Sequence, residues 1–266
     1  MGCTGCDNTG AGGLVKQCSG DQREVFSFES EFDMKLVSLG IAVVVLSCSF
    51  STCSQGEDSM LFKELEDFVA KREAEFDRIP QERKAALEQL AEYLRDCQSS
   101  ATPARLIFVC THNSRRSHMS QLWAAVAAFH YGIANVETFS GGTESTAFNP
   151  RAVAAMQRAG FRIEIGQAGT NPNYHASFAH DTKPQSCFSK VYSDTANPSE
   201  GFCAVMTCSS ADKSCPSVKG AVARIAIPYE DPKIADDTPQ ESATYDERSA
   251  QICREILYAF SRSKQL

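Results

Sequence analysis

The stretch Leu106-Ile107-Phe108-Val109-Cys110-Thr111-His112-Asn113-Ser114-Arg115-Arg116-Ser117 constrains this chain more than any other. An apolar run suited to a buried strand, Arg105–Val109, leads into Cys110; five residues follow, and Arg116 opens a helical stretch. That helix, Ser117–Tyr131, carries Met119, Leu122, Val126 and Phe129 on one face. The same alternation continues downstream. Val136–Phe139, Phe202–Met206 and Ala223–Ile227 read as strands, and Asn149–Ala159 and Thr244–Ser263 as helices, the first with Asn149 as cap and Pro150 at its first position. Short apolar runs alternating with helical stretches predict a parallel α/β sheet. Residues 166–200, rich in Pro, Asn, Ser and Tyr, read as a long inserted loop with a short strand near Lys190–Tyr192.

A loop between a strand end and a helix start can curl its N–H groups around a tetrahedral oxyanion, with the positive end of the helix dipole beneath. Here Thr111, His112, Asn113, Ser114, Arg115 and Ser117 form that anion-binding turn. Arg116 adds a planar two-donor grip. The same field favours a Cys110 thiolate, a nucleophile at neutral pH, to whose sulfur Ser117 can donate. Asn113 can brace the loop internally, with His112 and Arg115 at its rim.

Composition places this motif in a globular chain. Of 266 residues, 42% are hydrophobic and 22% charged, which excludes a wholly disordered, collagenous or coiled-coil protein. Lys and Arg number 26 against 33 Asp and Glu, so the surface has no general attraction for nucleic acid, and any anion site must be local. The 12 cysteines are spread too thinly for a small disulfide scaffold, and Cys3 and Cys6 lack the histidines of a zinc site, so no metal and no cofactor is expected.

The N-terminal part divides into three. Residues 1–33 read as a disordered leader, or as a mis-called start if translation begins at Met34. In residues 34–53, Lys35 precedes the uncharged run Leu36–Leu46, too short to span a bilayer comfortably but suited to an export signal. Val45-Leu46-Ser47-Cys48 resembles a bacterial lipoprotein cleavage box, which would leave Cys48 as a lipidated membrane anchor and the protein exported to the periplasm. The alternatives are an ordinary buried segment and a cytoplasmic protein. Residues 54–100 form a helical extension, with Leu61, Phe62, Leu65, Phe68, Val69 and Phe76 on one stripe and Leu87, Leu90, Ala91 and Leu94 on another. Pro80 fits the first turn of the second helix. The pair is expected to dock on the body formed by residues 101–266 or to mediate self-association.

Most of residues 104–266 resembles the low-molecular-weight protein tyrosine phosphatase superfamily, and within it the thioredoxin-coupled arsenate reductases. The resemblance rests on the Cys110–Ser117 loop, Phe139-Ser140-Gly141-Gly142-Thr143, Asn149-Pro150-Arg151-Ala152-Val153 followed by Gly160-Phe161, and Tyr229-Glu230-Asp231-Pro232. It implies an α/β fold in which a four-stranded parallel sheet is flanked by helices, here with an N-terminal helical extension. It also implies that Asp231 is the general acid. Val205-Met206-Thr207-Cys208 through Cys215-Pro216 is similar to the redox loop of the reductases. The implied relay has Cys110 attack arsenate, Cys208 attack Cys110 with release of arsenite, and Cys215 pass the disulfide to a thioredoxin-like reductant. A phosphatase acting on phosphotyrosine or small phosphate monoesters through Cys110, Arg116 and Asp231 is the second reading, and a non-catalytic oxyanion-binding protein the third. An oxidising periplasm would tend to lock Cys208 to Cys215, which favours the relay in a reducing compartment.

His112 and Arg115 depart from the glycine and cysteine common in the family's loop. Gln121 stands where the reductases often have a cation-holding glutamate, so no cation site carries over. Tyr174, His175, His180 and Cys187 of the insertion have no family counterpart; they could line the cleft, but are read first as surface packing.

Overall fold

A computed structural model of the protein describes residues 60–264. The expected leader, the export or lipoprotein segment and Cys48 lie outside the described residues. Among those described, no helix is long and apolar enough to cross a membrane.

The chain runs through helices α1 (Lys63–Glu73) and α2 (Gln81–Ser99) into strand β1 (Ala104–Cys110). Then come α3 (Arg116–His130), β2 (Val136–Gly142) and α4 (Pro150–Arg158). A small sheet follows, formed by β3 (Arg162–Gln167), β4 (Asn173–Ser177) and β5 (Gln185–Cys187). The last part holds β6 (Phe202–Met206), α5 (Ser209–Ser214), β7 (Ala221–Ala226) and α6 (Glu241–Ser263).

The main sheet is four-stranded, in the order β2-β1-β6-β7, and every pairing is parallel. Parallel strands are covered on both faces, and β1 shows why its run is continuously apolar. Leu106 and Phe108 point into a large core shared with α1, α2, α3, α4 and α6, while Ile107 and Val109 point into a smaller one with Met206, Cys208 and Ala211. The two N-terminal stripes supply the large core: Leu65, Val69, Leu87, Leu90 and Leu94 are fully buried, so the helical pair is docked on the sheet's helical layer. Pro80 caps α2 from just outside its first turn, where its carbonyl accepts from the Arg83 and Lys84 amides. Asn149 caps α4, its side chain accepting from the Arg151 amide at 2.9 Å.

Two expectations are corrected in the insertion. Its first part is a three-stranded antiparallel sheet in the order β3-β4-β5, beginning at Arg162. Strand alternation turns Tyr174 and Cys187 inward, where the Tyr174 ring meets Phe148 at 5.6 Å. They are core residues, while His175 and His180 are exposed. Lys190–Tyr192 is not a strand: only Val191 bridges to Gly142, because a turn closed by the Asp194 amide on the Val191 carbonyl ends the pairing at once.

Candidate active site

β1 ends at Cys110 and α3 starts at Arg116, so the turn between them lies at the carboxyl edge of the sheet, where α/β folds place their ligands. Its carbonyls are taken up from outside. The Cys110 and Thr111 carbonyls accept from the Thr143 and Glu144 amides at 3.1 and 2.8 Å, and the Ser114 carbonyl from the Asn149 amide at 2.8 Å. The His112 carbonyl accepts from the hydroxyls of Ser189 and Thr146, at 3.0 and 3.2 Å. Among the described residues no acceptor engages the N–H groups of His112, Asn113, Ser114 or Arg115. With the carbonyls turned out, those donors are left for a guest.

Asn113 holds the bend. It adopts a left-handed backbone, φ 43°, tolerated by asparagine. Its side chain donates to the Ser117 hydroxyl at 2.8 Å and accepts from the Lys190 amide at 2.9 Å. Ser117 Oγ in turn lies 3.1 Å from Cys110 Sγ. Gly142 lets the loop come this close: a Cβ there would stand 2.7 Å from both the Asn113 nitrogen and the Thr111 oxygen.

Arg116 is 11% exposed and divides its donors. Nη1 donates to the Tyr229 carbonyl at 2.9 Å and Nη2 to Asp231 Oδ2 at 2.6 Å, while the buried Nε has no hydrogen-bond partner. The Nε and Nη2 edge is therefore the one that can grip two oxygens of an anion, with Asp231 yielding one of the donors. The other oxygen of Asp231 caps a 3-10 turn, Pro232–Ala235, by accepting from the Lys233 amide. This holds the carboxyl beside Arg116.

Arg115 does not sit at the rim. Its guanidinium is turned inward, donating from Nε to the Tyr245 hydroxyl at 2.7 Å and from Nη2 to Asp236 at 3.3 Å. Burial, then the bond to Asp236, pushes the Tyr245 hydroxyl up to about 12, so it stays a neutral donor. His112 remains half-exposed, its ring 3.6 Å from Glu144.

Cys208 joins Cys110 in the smaller core, and its sulfur lies 3.4 Å from the Thr111 hydroxyl. It caps α5, accepting from the Ala211 amide at 3.3 Å. Cys215 closes the other end of that helix and packs at the edge of the same core. Seven positions at the helical rise of about 1.5 Å place the two Cα atoms about 10 Å apart, beyond the roughly 7 Å a disulfide spans. All described cysteines are free thiols. Among the described residues, no group of His, Cys, Asp and Glu could hold a metal ion.

Several site residues have no signal in the sequence pattern. Ser189 and Lys190 reach the loop from the insertion, and Asn171 holds Ser189 by both its amide and carbonyl groups. Lys190 is 5% exposed, and burial lowers its pKa. His118, fully buried behind the loop, stacks on Phe148 and bonds Ser140 Oγ at 3.1 Å. Burial, then the Lys190 charge, holds it well below the usual histidine range. Helical spacing from the apolar Leu122, four positions on, could have marked His118 as inward-facing, but nothing local marks Lys190.

Residues 105–175 match the model of the family described as low molecular weight phosphotyrosine protein phosphatase. No curated protein matches the sequence. Similar solved structures include a low molecular weight phosphotyrosine phosphatase from Vibrio cholerae O395, 13% identical, with a TM-score of 0.41 over 61% of this chain and 97% of that one. A YwlE mutant from Bacillus subtilis is 15% identical, with a TM-score of 0.42 over 61% and 99%. A thioredoxin-dependent arsenate reductase from Corynebacterium glutamicum is 17% identical, with a TM-score of 0.35 over 74% and 86%. That family match takes in the strand–loop–helix around Cys110 and runs on through α4 and β3 into β4.

Proposed function

We propose that the protein reduces arsenate to arsenite. The observation that carries this reading is the second thiol, Cys208, sharing a core with Cys110 and touching the Thr111 hydroxyl of the anion loop. Reduction of arsenate draws two electrons from thiols and so needs a second sulfur, whereas ester hydrolysis needs one reactive cysteine and a water.

Arsenate enters the loop as an oxyanion, on the free N–H groups and the Nε and Nη2 edge of Arg116. The Cys110 thiolate forms a sulfur–arsenic bond as an oxygen leaves with a proton from Asp231. The Cys208 thiolate then attacks Cys110 Sγ. The sulfur–arsenic bond breaks with its electron pair going to arsenic, so arsenite departs and a Cys110–Cys208 disulfide remains. Attack by the Cys215 thiolate on Cys208 Sγ frees Cys110 as thiolate and leaves Cys208–Cys215, which a thioredoxin-like dithiol reduces. Because those two cysteines cap opposite ends of α5, the last exchange requires that helix to unwind.

The second reading, hydrolysis of phosphate monoesters, is favoured by the placement of Asp231 at 2.6 Å from Arg116, where it can protonate a leaving oxygen. Cys208→Ser separates the two. It is expected to abolish arsenate-dependent oxidation of a thioredoxin system while sparing any phosphate-ester hydrolysis. Equal loss of both activities, or no arsenate turnover by the unaltered protein, refutes the relay.

A further inference from the structure

We propose that Arg83, on helix α2 of the N-terminal extension, is a positioning residue of the oxyanion site. It clamps Tyr229, whose carbonyl orients the Arg116 guanidinium. The inference rests on the reading of the Cys110 loop as an oxyanion site, and holds for the reductase and the phosphatase alike.

The contacts form one line from the helical pair to the anion loop. Arg83 Nε and Nη2 lie 2.8 and 2.7 Å from Glu255 Oε2, on α6. Glu255 is 2% exposed, and its other oxygen accepts from Gln251 at 2.9 Å, so the carboxylate is fixed. Held there, the Arg83 guanidinium lies over the Tyr229 ring, 4.7 Å from its centroid. A desolvated arginine on an aromatic face is attracted more strongly than one in water.

The Tyr229 side chain packs in the large core with its hydroxyl end in the field of Arg83 and Glu255, and burial, then the Glu255 charge, raises its pKa well above the ordinary tyrosine value. It is 5% exposed, and its hydroxyl makes no well-aligned hydrogen bond among the described residues, so the clamp of Arg83 and Glu255 is what fixes its polar end. Its backbone is engaged at both ends. The N–H donates to the Thr207 carbonyl at 3.0 Å, and the carbonyl accepts from Arg116 Nη1 at 2.9 Å. The clamped ring anchors the Tyr229 Cα, so a displacement of the ring that draws the backbone with it moves the acceptor that sets the plane of Arg116, and Asp231 lies two residues on. The two-donor edge of a guanidinium is directional, so a tilt of that plane costs anion affinity.

The test is calorimetric titration of the full-length, reduced protein with inorganic phosphate. Arg83→Gln is expected to weaken phosphate about tenfold, as positioning losses at a distance from the ligand can, and Arg83→Lys to recover most of that. Glu255→Gln separates positioning from charge. Removing a negative charge would tighten phosphate binding if only the field mattered, whereas loss of the clamp loosens it. Circular dichroism restricts the comparison to folded variants, and should Arg83→Gln fail to fold, Glu255→Gln carries the test. Wild-type affinity in Arg83→Gln, or tighter binding in Glu255→Gln, overturns the proposal. No phosphate binding by the unaltered protein overturns the oxyanion site itself, and the positioning role with it.

Discussion

His118 shows how a single buried side chain ties the loop to pH. Its ring is sealed between Phe148 and Ser140, and the ammonium of Lys190 adds a charge that opposes protonation. In the unfolded chain the imidazole takes up a proton as pH falls through its ordinary 6.5, whereas in the folded protein it stays neutral well below that. The unfolded state then binds more protons, so this stability is present above the unfolded pKa and is lost on acidification. The expected loss is up to about 1.4 kcal/mol per pH unit below that value. Denaturant melts at pH of about 7.5 and about 5.5 measure it, with His118→Gln expected to flatten the difference; an unchanged slope in that variant counts against the assignment. The residue scale was also where the sequence said most. Cys110, Asn113, Arg116 and Ser117 were legible because the five-residue turn between β1 and α3 brings them together by local chain geometry. Arg115 was misread because its partners, Tyr245 and Asp236, lie more than a hundred residues away.

Among the elements, α5 is the one the proposed chemistry asks to move, and one residue restrains it. Arg224, on β7, donates to the carbonyls of Asp212 and Cys215 at 2.7 and 3.0 Å and pairs with the Asp212 carboxylate at 2.6 Å. It thereby takes up orphan carbonyls at the end of a six-residue helix. Arg224→Ala is expected to raise amide exchange across Ser209–Ser214 by roughly ten- to a hundredfold, the loss of hydrogen bonds to a charged donor at roughly 1.5–3 kcal/mol. In the relay, the same change speeds formation of the Cys208–Cys215 disulfide. Hydrogen exchange read by mass spectrometry decides the first, and exchange no faster than in the unaltered protein contradicts the latch. The strands of the parallel sheet were legible for the opposite reason to α5. Burial on both faces writes a continuous apolar run into β1 and β6, whereas β3 and β5 have exposed positions that blur their alternation.

Across the whole molecule, the helical pair is part of the large core. Leu87, Leu90 and Leu94 are fully buried, and α2 is tied to α6 by Arg83 and Glu255 and by Arg95 and the Arg262 carbonyl. Leu90→Ala is expected to destabilise the entire described domain by about 2–5 kcal/mol, the usual cost of a leucine-sized cavity. Chemical denaturation followed at the single tryptophan, Trp123, which lies in that same core on α3, reports it. A separate early transition, with the rest of the domain untouched, would show the pair to be an independent unit. The amino-acid sequence by itself determined the strand–loop–helix, the parallel α/β class and the two apolar stripes, because each is a periodicity or turn written within some fifteen neighbouring residues. Tertiary structure alone decided what surrounds the loop. Asn113 meets Lys190 across 77 positions, Arg116 meets Asp231 across 115, and Arg83 meets Glu255 across 172. No local pattern encodes such pairs; they exist because packing the two cores brings distant backbone together and leaves each buried charge only the partners that the fold supplies.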